Sequence, residues 1–321
     1  MHMVQDYYLG VDGGGSNTRA LVADAKGNII TCRTGLGINF YAAGMEKSRE
    51  NLHDLVHKLE ECIDIRRLKG AFFGNAAIDH LMGDDEAAAY KSGILDCKVS
   101  VHSDAFIALS GHTLGTPGCL VISGTGSVAV AKNSQEQYRQ FGGWGYLLGD
   151  EGSAYDIAIK AYRAVVHFFD GIGEATMLVD RVVQKYDLQE PYTLLETINP
   201  RLSKREIAAF SQEVKECAEK GDAVALKILE QSARYLAELA AAAASFAGVS
   251  TVGIYGSVLL NDRFVREHFE KLFARHIPGG IVVEPQLPPM GGAVLLAMAE
   301  DGIAANKEII DNLIQGIAAI K

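Results

Sequence analysis

The sequence predicts an α/β protein of two domains, and three observations support this prediction. The 321 residues are 48% hydrophobic and 22% charged, enough for a large core and two domains of ordinary size. The first third of the chain shows strand and helix patterns in the order βββαβαβα. A similar pattern begins again after a turn-rich segment at residues 113–118. We therefore expect two α/β halves joined near that segment.

The first half opens with three strand patterns, which predict an antiparallel meander. They cover Tyr8 to Asp12, Arg19 to Asp24 and Ile29 to Arg33, the last one after the turn signal "AKGN". A helical pattern from Met45 follows. Then come a buried-looking strand "KGAFFGNAA", a helix "DDEAAAYKSGI", a strand "CKVSVHSD" and a helix "AFIALSGH".

The second half begins in the same way. "CLVISGTGSVAVAKNSQE" predicts a strand, a glycine turn, a strand and a polar turn, as "YLGVDGGGSNTRALVADAKGN" does in the first half. The later patterns predict helices near 151–168, 204–220 and 223–248, the strand "TVGIYGS", a helix from 262, the strand "GIVVEP" and helices from 291.

Each half thus contains a hairpin cornered by glycines, and these corners are candidate phosphate sites. Glycine adopts positive φ without strain, and exposed backbone N–H groups in such a turn can bind an anion. The missing Cβ also lets a phosphate approach closely. Asp12, beside the first corner, would require Mg²⁺ between itself and a phosphate; the alternative is a turn aspartate that caps its own loop. The sequence contains neither a P-loop nor a Rossmann glycine motif.

Charge, cysteines and hydropathy exclude several classes of protein. A formal net charge of −10 without basic clusters argues against nucleic-acid binding. The five cysteines stand singly, which argues against a disulfide framework or a zinc site and fits a cytoplasmic protein. The alanine-rich stretch 239–249 is too short for a membrane span and predicts a tightly packed helix, so no membrane role is expected.

The order of these motifs resembles the superfamily of actin, sugar and acetate kinases and heat-shock-protein ATPases. "GVDGGGSNTRALVAD" is similar to its first phosphate motif, "LVISGTGSVAVA" to its second and "VGIYGSVLLNDRF" to its adenosine motif. "GGWGYLLGDEGSAYDIAIKAYRA" and "PPMGGAVLLA" resemble the N-acetylglucosamine kinase and BadF/BadG-type ATPase family within it.

The resemblance implies a two-domain actin-like ATPase fold, each domain a ribonuclease H-like βββαβαβα unit, with a cleft between them. The first domain would span residues 1–114, completed by the C-terminal helix 305–321, and the second residues 115–304. It further implies ATP and Mg²⁺ as cofactors, a small-molecule amino sugar as substrate, and a homodimer. Mg²⁺ would lie near Asp12.

The resemblance also implies roles for individual residues. The catalytic aspartate of the family falls on Asp104, which we expect to be the general base for a sugar hydroxyl and to contact the substrate. The residues expected to bind the sugar are Asn39, Gly143, Trp144, Gly145 and Asp150. The residues expected to bind the nucleotide are Gly14, Gly15, Ser16, Asn17, Gly124, Thr125, Gly126, Ala218, Gly256 and Ser257.

Structural alternatives exist for the side chains that are central to this assignment. Asp104 stands before a helix and could be its N-cap. Trp144 could be a core aromatic, and Asp150 could supply favourable charge at a helix N-terminus.

The function implied is transfer of the γ-phosphoryl of ATP to the 6-hydroxyl of N-acetylglucosamine, with N-acetylmuramic acid or glucosamine as further candidate substrates. The alternative is an ATPase that acts as an activator or a sugar-responsive sensor. Electron-transfer activators of this family carry cysteines for a bridging iron–sulfur cluster, and none of the five cysteines here lies in such a motif.

Overall fold

A computed structural model describes residues 6–76, 78, 82–198 and 202–320. Within them two compact units are formed, unit 1 by residues 6–116 and 285–320 and unit 2 by residues 117–284. The strands are β1 (Tyr7–Gly13), β2 (Asn17–Asp24), β3 (Ile29–Leu36), β4 (Leu68–Asn75), β5 (Lys98–His102), β6 (Gly118–Ser123), β7 (Ser127–Lys132), β8 (Tyr138–Gly142), β9 (Thr251–Tyr255) and β10 (Ile281–Val283). The helices are α1 (Phe40–Ala43), α2 (Met45–Glu60), α3 (Asp84–Lys91), α4 (Asp104–Thr113), α5 (Ala154–Phe169), α6 (Leu178–Tyr186), α7 (Thr193–Ile198), α8 (Lys204–Ala208), α9 (Ser211–Glu219), α10 (Ala223–Ala247), α11 (Ser257–Asn261), α12 (Arg263–His276), α13 (Pro289–Glu300) and α14 (Lys307–Ile320).

Unit 1 is built on a five-stranded mixed sheet with the strand order β3-β2-β1-β4-β5. The β1, β2 and β3 strands form the predicted antiparallel meander, and β4 and β5 add to β1 in parallel. This confirms the element order predicted for the first half, with the short α1 as an addition. Because β1, β4 and β5 are parallel, their carboxyl ends lie at one edge of the sheet.

Both faces of this sheet are covered, which explains the nearly continuous apolar run of β1. Tyr8 packs in one core cluster with residues of α13 and α14, whereas its neighbour Leu9 packs in another with residues of α2. Successive strand residues point to opposite faces, so two layers of helices are required.

Close backbone contact places α13 in unit 1. A Cβ at Gly292 would overlap the carbonyl oxygen of Ile107 in α4, and a Cβ at Gly10 in β1 would overlap the carbonyl oxygen of Met290. The second domain expected from the sequence, residues 115–304, includes α13. The structure differs there, because this helix packs on β1, β4 and α4 of unit 1.

Unit 2 is built on a second five-stranded mixed sheet with the order β10-β9-β6-β7-β8. The β6 and β7 strands form the predicted glycine-cornered hairpin, and β9 pairs with β6 in parallel. No sequence pattern predicts β8, a partly exposed edge strand without an apolar run. The single helix predicted over residues 204–220 is two helices in the structure, α8 and α9. The interruption lies where the N–H of Phe210 bonds the carbonyl of Ile207, three residues back.

The alanine-rich α10 is a buried structural helix, as predicted. Ala233, Ala237, Ala240 and Ala244 recur at four-residue or three-residue spacing and are fully buried. Their small side chains let α10 pack against β6, β7 and α12. In the described parts of the chain, no helix combines the length and the apolar character that crossing a membrane requires.

We expect Gly292→Ala to lower the free energy of unfolding by about 1–3 kcal/mol, because the added methyl group meets backbone atoms of α4 that cannot rotate away. Gly291→Ala is the matched control on the same helix. Its Cβ would meet Cδ1 of Ile317 and Cβ of Leu287 at 3.2 Å, a milder contact than the overlap with backbone atoms at Gly292. Thermal unfolding of both variants measures the effect, and equal midpoints would contradict this account of the α13 packing.

Candidate active site

Two carboxylates lie together at the carboxyl edge of the unit 1 sheet. Asp12 stands near the end of β1, opposite Gly74 of β4. Asp104 begins α4, and a Cβ at Gly74 would lie 3.2 Å from its Cα. The missing side chain of Gly74 therefore lets α4 begin directly over the strand ends, beside Asp12.

The two carboxylates alter each other's surroundings. Burial and, to a smaller extent, the negative charge of Asp104 together raise the pKa of Asp12 to about 6, against the opposing effect of Arg19 on β2. Burial also raises the pKa of Asp104, against the hydrogen bond that the N–H of Ala105 donates to its Oδ1 at 2.8 Å. A carboxyl group with a raised pKa is suited to accept a proton near neutral pH.

Asp104 is not the N-cap of α4. Ser103 holds that position, and its Oγ accepts a hydrogen bond from the N–H of Phe106 at 3.2 Å. The structural alternative for Asp104 is therefore excluded. The carboxylate lies in the first helical turn, where the partial positive charge of the helix favours its anionic form.

The residues at this edge fit a magnesium site of the kind that nucleotides complete. Mg²⁺ prefers oxygen ligands and often uses only one or two protein carboxylates, with phosphate and water as the others. In the described residues, no group of three or more His, Cys, Asp or Glu side chains is arranged to hold a metal ion. Asp12 could supply the protein's contribution.

The first glycine turn connects β1 to β2 directly beside Asp12. The N–H of Gly14 donates to the carbonyl of Asn17 at 3.1 Å, while Gly15, Ser16 and Asn17 are exposed. Neither Gly14 nor Gly15 adopts positive φ. A Cβ on Gly15 would meet no atom within 4 Å, so packing does not require glycine there.

Asn39 follows the loop after β3, and buried amides hold that loop at the same edge. Asn75, fully buried at the end of β4, donates from Nδ2 to the carbonyl of Ile38 at 2.9 Å. Asn51 donates to the carbonyl of Gly37 at 2.6 Å. Neither amide was predicted from the sequence, although Asn75, a polar residue at the end of an apolar strand, is a recognisable signal.

The second glycine turn, in unit 2, is attached to the segment before α5. Within the turn, the N–H of Gly124 donates to the carbonyl of Gly126 at 2.9 Å. Ser123 and Ser127, on either side of it, donate from Oγ to the carbonyls of Gly152 and Glu151 at 2.8 and 2.7 Å. Gly124 and Gly126 also lack positive φ.

Gly256 brings the predicted adenosine motif against this turn. Its φ is 93°, and a Cβ there would overlap the carbonyl of Ser123, so both geometry and space require glycine. Ser257 follows, exposed, as the first residue of α11. The structure thus joins two of the predicted nucleotide motifs. Ala218, by contrast, is buried in the unit 2 core.

Asp150 lies beside the same turn and is paired with a lysine. It is 5% exposed, and its Oδ2 lies 3.0 Å from the Cβ position of Gly126. The close approach of this carboxylate accounts for glycine at 126. Lys204 Nζ lies 2.7 Å from the same Oδ2. The sequence does not predict the role of Lys204, because it lies 54 residues from Asp150 and no local motif connects the two.

The segment between β8 and Asp150 projects apolar side chains into solvent. Trp144 is 75% exposed, and Leu147 and Leu148 are more than 79% exposed. The interpretation of Trp144 as a core aromatic is therefore excluded. Gly143 and Gly145, which flank it, both have positive φ and shape this loop.

Known proteins with similar sequences match this chain over most of its length. The chain is 29% identical over 309 residues to an N-acetylmuramic acid/N-acetylglucosamine kinase of Clostridium acetobutylicum, covering 92% of this chain and 99% of the relative. It is 26% identical over 315 residues to an N-acetyl-D-glucosamine kinase of Dictyostelium discoideum, again covering 92% and 99%.

A crystal structure from Chromobacterium violaceum, of a protein considered to be an N-acetylglucosamine kinase, superposes with a TM-score of 0.75. The two share 22% sequence identity, and the match covers 92% of this chain and all of the other. This likeness shows the fold. The model of the BadF/BadG/BcrA/BcrD ATPase family matches residues 9–297, most of the chain. The protein therefore belongs to the BadF/BadG/BcrA/BcrD ATPase family.

Proposed function

We propose that this protein is an ATP-dependent amino-sugar kinase that phosphorylates the 6-hydroxyl of N-acetylglucosamine. The family is one of ATPases, and the two named relatives are kinases whose names share this sugar. N-acetylmuramic acid and glucosamine are further candidate substrates.

The observation that carries the proposal is the half-buried Asp104 at the carboxyl edge of the unit 1 sheet. It is not used as a helix cap, and burial raises its pKa. A base of this kind can take the proton of a hydroxyl as that oxygen attacks phosphorus. In the proposed step, the bond from sugar O6 to the γ-phosphorus forms and the bond from that phosphorus to the β–γ bridging oxygen breaks. The O6 proton passes to Asp104, and ADP leaves.

The other predicted residues have binding roles in this proposal. Asn39, Gly143, Trp144, Gly145 and Asp150 would hold the sugar, with its hydroxyls donating to the Asp150 carboxylate. The residues at the two glycine turns, together with the Gly256–Ser257 corner, would hold ATP. The N–H groups of Gly14 and Gly124 already donate to the carbonyls of Asn17 and Gly126 within their turns. In this proposal the phosphates would therefore approach the exposed residues of the turns, Gly15 to Asn17 and Thr125.

Asp12 would hold Mg²⁺ together with the phosphates of ATP. The ion, when bound, would offset the charge of the β- and γ-phosphates and the repulsion between Asp12 and Asp104. Asp12 must be ionised for this, and its raised pKa of about 6 predicts that metal affinity increases as the pH rises through 6.

The proposal is tested by ADP release from Mg-ATP with glucosamine, N-acetylglucosamine, N-acetylmannosamine, N-acetylmuramic acid, glucose or no sugar. We expect N-acetylglucosamine to stimulate release strongly, because transfer requires the acceptor hydroxyl. Mass spectrometry of the product should show a sugar monophosphate, and its NMR spectrum should show the phosphate on O6. ADP release equal with and without every sugar would contradict a sugar kinase and favour an activator or sensor.

Asp104→Asn should reduce turnover by about 10²- to 10⁴-fold, because the amide cannot accept the proton. Asp85→Asn is the matched control, since Asp85 is an exposed acid in the first turn of α3. Sugar binding, followed through the emission of the single tryptophan, Trp144, should change less than turnover. Normal turnover of the asparagine variant would exclude Asp104 as the base.

Asp12→Asn should make the metal-free protein more stable at pH 7 to 8 and should weaken Mg-ATP binding. The folded-state pKa of Asp12, about 6, exceeds its ordinary value of 3.8. Its ionisation therefore opposes folding, and stability is lost as the pH rises from about 4 to about 6. Asparagine cannot ionise, so the gain over wild type should vanish near pH 4.

Melting temperatures in EDTA across this pH range measure the effect, and the Mg²⁺ dependence of ADP release measures the binding. Asp311→Asn, at an exposed carboxylate of α14, is the control. A pH-independent difference between Asp12→Asn and wild type would refute the electrostatic explanation.

A further inference from the structure

Lys204 is a basic residue of unit 2 whose position local helix stability does not explain. It is the first residue of α8, where the helix dipole disfavours a cation. Ser203 caps the helix in a capping box with Glu206, whose Oε2 accepts from the N–H of Ser203 at 2.7 Å. This box fixes the start of α8 and, with it, the stem of Lys204.

Contacts outside α8 stabilise the ammonium group of Lys204 in this electrostatically unfavourable position. Nζ lies 2.7 Å from Oδ2 of Asp150. It also lies over the rings of Tyr146 and Tyr155, at 5.5 and 5.9 Å from their centroids, within the range of cation–π attraction. Three groups from the segment between β8 and the first turn of α5 therefore surround one lysine.

The ion pair is asymmetric. The side chain of Asp150 is 6% exposed, whereas that of Lys204 is 37% exposed. Asp150 also has a φ of 61°, in the left-handed region that a non-glycine residue rarely occupies. A buried carboxylate in a strained backbone depends on its counterion, because an unpaired buried charge is strongly unfavourable.

We propose that Lys204 is the positioning residue of the sugar site: it holds Oδ2 of Asp150, so that the remaining acceptor positions of that carboxylate face the sugar hydroxyls. This inference rests on the proposed kinase function. A carboxylate offers about four acceptor positions, so one ammonium contact leaves others available. The lysine holds Asp150 oriented against Gly126.

The test compares Lys204→Met, which keeps the stem and removes the charge, with Lys204→Arg, which keeps the charge. In Lys204→Met we expect the KM for N-acetylglucosamine to rise by about 10- to 100-fold, because the acceptor loses its charged partner. The KM for ATP and kcat at saturating sugar should change far less. Lys204→Arg should restore most of the sugar affinity.

Lys307→Met is the matched control. Nζ of Lys307 lies 2.7 Å from the Asp311 carboxylate, the same distance as in the pair of Lys204 and Asp150. The side chains of Lys307 and Asp311, however, are both exposed. This control should leave the sugar KM unchanged. Melting temperatures of all variants check folding, and Lys204→Gln, which can still donate one hydrogen bond, serves as a second uncharged variant.

A double-mutant cycle gives the decisive readout. In an Asp150→Asn background, Lys204→Met should cause little further loss of sugar affinity, because the group that it positions is already changed. Sugar titrations followed by Trp144 emission supply affinities that do not depend on turnover. Additive losses would overturn the inference, as would an unchanged or a tighter sugar affinity in Lys204→Met.

The failure of this inference differs from the failure of the proposed function. Wild-type protein that no sugar stimulates would contradict the kinase proposal and the role of Lys204 together. Wild-type protein that N-acetylglucosamine stimulates, with an unchanged sugar KM in Lys204→Met, would contradict only the role of Lys204.

Discussion

The repulsion between Asp12 and Asp104 is the interaction on which the unit 1 site depends. Burial raises the pKa of both carboxyl groups, and the negative charge of Asp104 adds to the shift at Asp12, so the pair favours a proton or a cation. The fold accepts this cost because Gly74 admits α4 beside β1, Ser103 takes over the capping, and α13 packs against α4. A site of this kind favours the binding of a proton or a metal ion even when no substrate is bound.

Glycine serves two different physical purposes in this chain. At Gly126 the missing Cβ leaves room for a carboxylate, and at Gly74 for a helix start, without unusual φ. At Gly143 and Gly145 positive φ shapes a loop. Gly256 combines both requirements. The two glycine corners resemble each other in sequence, but neither is a left-handed turn, so their suitability for phosphate rests on close approach alone.

The two units contain different kinds of functional groups. Unit 1 holds a pair of acidic groups suited to proton transfer and to a hard metal ion, and unit 2 joins a glycine turn, the Gly256 corner and a buried ion pair. Neither these functional groups nor membership of the family requires a sugar substrate, because ATPases of this fold class use the same nucleotide motifs in other functions. The proposal of an amino-sugar substrate comes from the names of the relatives. The ion pair between Asp150 and Lys204 offers a contact whose effect on sugar binding can be measured.

The sequence by itself determined the element order of unit 1, both hairpins, the packed α10 and the positions of Asp12 and Asp104 at the end of a strand and the start of a helix. These features depend on local periodicity and on neighbouring residues, which a single chain displays directly. Only the tertiary structure decided the place of α13 in unit 1, the edge strand β8, the capping by Ser103 and the pairing of Lys204 with Asp150. Each of these depends on which distant backbone or charge lies opposite, and residues 54 positions apart carry no local signal of contact.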